Sequence, residues 1–141
     1  MNAIVPADKH VFIEFEDADH LAIFELEANG KFTIGRDINT HSEKTDSLLN
    51  VLGWTQQTLS TLKRRLDKAN CISIRNGTPC QIGFRRSRMG MYFYAVFDKA
   101  MADSVKEDYN DSCRYILHNE KVALEYGGGA IGPQCFEDHD R

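Results

Sequence analysis

TDSLLNVLGWTQQTLSTLKR, residues 45–64, carries apolar side chains at helical spacing on both sides of a single glycine. Leu48, Leu49 and Leu52 share one helical face, and Gly53 after them can take the left-handed conformation that ends a helix at no steric cost. Thr55 is placed to cap a second helix from about Gln56 to about Asn70, offering its hydroxyl to the N–H groups of Gln57 and Thr58. Trp54 before that cap and Leu59 in the first turn are spaced as a hydrophobic staple. Leu59, Leu62, Leu66 and Ala69 then recur every three or four residues, which predicts that they face inward. The other side shows Gln57, Ser60, Thr61, Arg64 and Lys68, flanked by Gln56, Lys63 and Arg65, with Asp67 its one carboxylate.

Outward from this pair the apolar period changes to two. Val11, Ile13 and Phe15 alternate with Phe12, Glu14 and Glu16, as in a half-buried strand. Asp17 to His20 reads as a turn or a helix start. LAIFELEA, residues 21–28, fits either period, and Asn29-Gly30 after it suits a hairpin turn or a helix C-cap. Its strand-like neighbours favour a meander over a helix. KFTIGR (31–36) reads as a short strand and Asp37 to Lys44 as a polar loop. Beyond the helices come strand-like CISI (71–74), a turn at Asn76 to Pro79, and QIGFRR (81–86). MYFYAVF (91–97) is apolar on both faces, as in a central strand. Residues 99–108 suit a short helix, and CRYIL (113–117) with VALEY (122–126) a final hairpin around His118 to Lys121.

The expected class is therefore α+β, an antiparallel sheet with a helix-turn-helix-like pair in the middle of the chain. Its length of 141 residues suits a single domain, with N-terminal strands in 10–36, helical pair plus hairpin in 45–86, C-terminal strands in 89–126 and a Gly-rich, acidic tail in 127–141. A hydrophobic content of 42%, with 10% aromatics, excludes a wholly disordered chain. No apolar run approaches the roughly 18 residues of a membrane helix, so no membrane partner is expected. The start is short and polar, without the form of a secretory signal, which gives the cytoplasm as the expected compartment. Cys71, Cys80, Cys113 and Cys135 contain no C-x-x-C pair and are expected as reduced, packed thiols.

Net charge is −4, but it is unevenly spread. Residues 1–53 carry 4 basic and 10 acidic side chains, residues 54–88 carry 8 and 1, and residues 89–141 carry 5 and 10. A positive block on an acidic chain focuses anions locally, and suits nucleic acid or an acidic protein partner. An amphipathic helix pair with its cations in water would have the same composition.

GWTQQTLSTLKRR resembles the turn and second helix of the helix-turn-helix in bacterial and phage repressors. With the strand 71–74, the tip at Asn76-Gly77 and the return strand ending in Arg85 and Arg86, it is also similar to a winged helix. The resemblance covers about residues 45–87, and reaches back to 21 if that segment is a helix. It implies duplex DNA as partner, with Gln56, Gln57, Ser60, Thr61 and Arg64 facing the groove and Arg75 and Arg85 on phosphates. Lys63, Arg65, Lys68 and Arg86 complete the basic surface. Such motifs bind two half-sites, which implies a homodimer, with the C-terminal strands as the expected dimer contact or a regulatory surface.

Other candidates fall short of a site. Cys113 and His118 differ in parity along one strand, which counts against a zinc pair with Cys135 and His139 and against a nucleophile–base pair. The glycines at 127–132 lack the Lys-Ser/Thr of a P-loop. Asp108 to Asp111 lacks the glycine and distal glutamate of a calcium loop. Tyr92 and Tyr94 share a strand face and are expected in the core. No catalytic residue, metal or cofactor is expected, and a non-enzymatic binding protein is.

Overall fold

Long-range pairing decides the segment that local sequence leaves open: residues 20–28 are a strand. The computed structural model describes residues 5–87, 90–111, 113–127 and 136. In it β1 (His10–Phe15), β2 (His20–Ala28) and β3 (Lys31–Asn39) form a meander, with Phe24 paired to Ile13 on one side and Gly35 on the other. Any winged-helix likeness therefore cannot extend back to residue 21. Asp17 to His20 is a turn, in which the Asp17 carboxylate accepts from the N–H groups of Asp19 and His20 at 2.8 and 2.9 Å. The Asp19 N–H above all holds that carboxyl below its ordinary range. Asn29 and Gly30 both have positive φ, 55° and 74°, the backbone of a two-residue hairpin turn.

Strand β3 runs further than its sequence suggests, through Asp37 at φ 49° to Asn39. Helix α1 (Glu43–Leu52) also starts early, after Ser42, whose hydroxyl accepts from the Thr45 N–H at 3.2 Å. The expected polar loop at 37–44 thus shrinks to residues 40–42. Thr45, expected at the helix start, sits within the first turn and is fully buried, its hydroxyl donating to the Asn39 carbonyl at 2.6 Å. Gly53 ends α1 at φ 72°, as its position predicts. Helix α2 (Gln56–Lys68) follows Thr55, whose hydroxyl accepts from Thr58 while the Thr58 hydroxyl accepts from the Thr55 N–H, each at 3.3 Å. That reciprocal cap satisfies two otherwise orphaned donors.

Leu48, Leu49, Leu52, Trp54, Leu59, Leu62 and Leu66 are all buried. Ala69 is not: the helix stops at Lys68 and Ala69 is its exposed C-cap. Strand β4 (Ser73–Arg75) starts two residues later than expected and pairs with β1, giving the order β3-β2-β1-β4. Strand β1 departs from its expected alternation, and Phe12 and Glu14 are as buried as Phe15.

The chain divides into two compact units, Met1–Gly77 and Thr78–Arg141. The second holds β5 (Cys80–Ser87), β6 (Gly90–Val96), α3 (Asp103–Asp108), β7 (Tyr115–Leu117) and β8 (Val122–Gly127), with strand order β5-β6-β8-β7. The apolar 91–97 segment is central, as expected, and the final hairpin forms. Buried Glu125 accepts from Arg114 and from Gln81, both at 2.9 Å. Burial first, and the Glu125 charge second, push up the Tyr109 and Tyr115 phenols. Asp111 closes the loop before β7, accepting from the N–H groups of Cys113 and Tyr115 at 2.9 Å each.

One cysteine expectation fails, since Cys113 is disulfide-bonded, whereas Cys71 and Cys80 are buried free thiols. The tail expected from 127 lies, apart from Gly127 and Phe136, outside the described residues, as do Cys135 and His139. Helices and antiparallel strands together make the chain α+β. No helix among the described residues is long and apolar enough to cross a membrane.

Replacing Leu62, which is 8% exposed on the inner stripe of α2, tests the helical phase. Leu62→Ala is expected to lower unfolding free energy in urea by about 2–5 kcal/mol, and an unchanged transition would place this side chain outside the core.

Candidate nucleic-acid interface

One short stretch of backbone at the end of β3 positions α2. The buried Thr40 donates its N–H to the Asp19 carbonyl at 2.8 Å and its hydroxyl to the same carbonyl at 3.3 Å, which pins it to the β1–β2 turn. Its own carbonyl accepts from Gln56 Nε2 at 2.7 Å, and the same amide reaches Asp46 Oδ1 at 2.9 Å. Gln56, expected to face a DNA groove, instead ties the start of α2 to α1 and β3.

The remaining α2 candidates share one outer surface. Gln57, Ser60, Arg64, Arg65 and Lys68 are exposed and Thr61 is half-buried, while Leu59, Leu62 and Leu66 face the other way. Gln57, Ser60, Arg64 and Lys68 recur at helical spacing, so they mark a stripe about 16 Å long at 1.5 Å per residue. Lys63 is different. Its ammonium pairs with Asp67 one turn along and lies 5.8 Å from the centre of the Phe15 ring. The only acid of the helix is thereby matched, and Arg64, Arg65 and Lys68 have no ion-pair partner among the described residues.

Beside the N-terminal half of the stripe runs an open cleft of about 310 Å³. Phe15 and Leu59 supply its apolar lining, and His41, Gln57, Ser60 and Lys63 its polar one. Arg75 on β4 belongs to the sheet: its guanidinium lies 4.5 Å from the Phe12 ring centre and 3.7 Å from the Glu25 carboxylate. Arg85 and Arg86 are exposed on β5, in the second unit. The structure thus gathers Gln57, Ser60, Thr61, Arg64, Arg65 and Lys68 on one surface and gives Gln56, Lys63 and Arg75 intramolecular partners.

Thr40 and His41 were not expected at this surface, and no local pattern announces them. The Gln56–Thr40 bond spans sixteen residues and ends on a peptide carbonyl, which every residue carries. Comparisons with protein-family models, with curated proteins and with solved structures give no match.

The anchoring role of Gln56 can be separated from a contact role. Gln56→Ala is expected to cost about 1–3 kcal/mol in urea unfolding, through the two acceptors it leaves, against less than about 0.5 kcal/mol for the neighbouring Gln57→Ala. Equal, small effects would mean that the Gln56 amide is not held.

Proposed function

We propose that the protein binds duplex DNA through the outer surface of α2, with α1 and the turn at Gly53 acting as a helix-turn-helix. The observation that carries this is the composition of the exposed stripe. It offers an amide, hydroxyls and three cations, and its single carboxylate is taken by Lys63. Amide and guanidinium groups can read base edges in pairs of hydrogen bonds, and hydroxyls and cations suit phosphates. Gln57, Ser60 and Arg64 would face the groove, with Arg65 and Lys68 along the backbone. A convex helix is needed to enter a groove about 12 Å wide, and the exposure of these side chains meets that need.

The chain is acidic overall, so contact beyond the stripe is repulsive. This favours a small footprint over sequence-independent coating. A cytoplasmic location goes with such a partner. The Cys113 disulfide pulls the other way, because the cytosolic thiol pool keeps most cysteines reduced.

Anisotropy of labelled duplex DNA over a salt series tests the proposal, with the parent and an Arg64→Ala, Arg65→Ala, Lys68→Ala variant. Counterion release lowers log affinity by about 0.9 per neutralised phosphate for each tenfold rise in salt. Removing three contacting cations is expected to flatten that slope by up to about 3 units in a variant that remains folded. An unchanged slope would show that α2 is not the contact. No binding by the parent near about 50 mM salt would overturn the proposal and leave an acidic protein as the fitting partner.

A further inference from the structure

Strand β3 ends the first unit's strand order, so its outer edge has no strand partner among the described residues. A two-residue turn closes on a hydrogen-bonded pair, here Ala28 and Lys31, and such pairs alternate with non-bonded ones along the ladder. Lys31, Thr33 and Gly35 therefore turn their N–H and C=O groups towards β2. Phe32, Ile34 and Arg36 turn theirs outward, and no loop or turn bond among the described residues takes them up. Lys31 and Thr33 line a cleft with Val51 of α1, so Phe32, Ile34 and Arg36 project from the opposite sheet face. Phe32 is 59% exposed and Val51 44%, and these are the exposed large apolar residues among those described. Both lie along this edge.

We infer that the edge joins a second copy of the chain, β3 against β3, antiparallel about a two-fold axis at Ile34. Two features of the strand argue for that occupant and that register. All three outward-facing residues then find bonded partners, Ile34 with its own copy and Phe32 with Arg36 of the second copy, twice. The Phe32–Arg36 pairs set a guanidinium beside an exposed ring. A two-fold axis at Thr33 or at Gly35 keeps the bonding parity but parts Phe32 from Arg36, and leaves one of the two without an outward-facing partner in residues 31–36. The pairing is self-complementary, so it closes at two chains instead of propagating. It does not rest on nucleic-acid binding.

Light scattering of the full chain without nucleic acid, up to about 200 μM, tests the assembly. A mass of two chains is expected, and a single-chain mass throughout would overturn the inference, leaving Lys31 and Arg36 as charges that blunt an edge. Disulfide trapping tests the register. Ile34→Cys is expected to give a covalent dimer on mild oxidation, because opposed bonded residues have Cα atoms about 5.5 Å apart. Phe32→Cys alone is expected to give none, its copies being about 13 Å apart along the strands, but to cross-link when mixed with Arg36→Cys. Trapping of Phe32→Cys with itself as readily as Ile34→Cys would overturn the register. Ile34→Pro removes an outward N–H without touching the β2 ladder, and a folded, single-chain protein is expected. Should that variant fail to fold, the cysteine pair decides alone.

Discussion

Two consecutive backbone carbonyls, those of Asn39 and Thr40, hold both helices to the first unit's strands. The first accepts the buried Thr45 hydroxyl from α1 and the second the Gln56 amide from α2. Leucine burial supplies most of the free energy, but it is non-directional and leaves a helix free to roll or slide. The two polar bonds have direction. Because Thr40 is itself bonded back to the β1–β2 turn, the start of α2 is referred to the sheet and not merely to the preceding helix. Which of its side chains meet solvent follows from that reference.

What could be read from the residues was what neighbours determine. Gly53 at a left-handed C-cap, Thr55 at an N-cap and the stripe Leu59–Leu62–Leu66 are arrangements within a few residues of chain, and each has one good solution. LAIFELEA has two local solutions, and pairing with β1 and β3 chose between them. Glu14 misled because a charged residue is normally outward on a strand, yet Glu14 and Phe12, which share the second face of β1, are both buried. Asp37 misled as well. Aspartate signals a loop, but it tolerates positive φ, and here the strand bends there and goes on.

The candidate surface was legible to a smaller degree. Helical phase separated the outer side chains from the leucines, yet phase alone does not tell which polar groups already have partners. Gln56 and Lys63 are polar residues of one helix, and both are engaged within the molecule. Arg75 is likewise drawn to Phe12 and Glu25, its cross-strand and next-strand neighbours on one sheet face. Fewer cations are thus available than the composition of residues 54–88 suggests, and the α2 cations without an ion-pair partner among the described residues lie in its second half.

The pairing of β4 with β1 also has a consequence in time. Phe12 meets Arg75 and Glu14 meets Ser73, with β2, β3 and both helices enclosed in the intervening chain. The β2–β3 hairpin and the capped helices are local and can form quickly, whereas the last strand must close a loop of about sixty residues. During synthesis at about 5–20 residues per second, β1 leaves the ribosome roughly 3–12 s before the strand that will cover its second edge. Throughout that interval the strand with the largest buried share in the first unit has one bare edge. For a nascent chain this is the moment of greatest exposure to a chaperone or to a neighbouring chain.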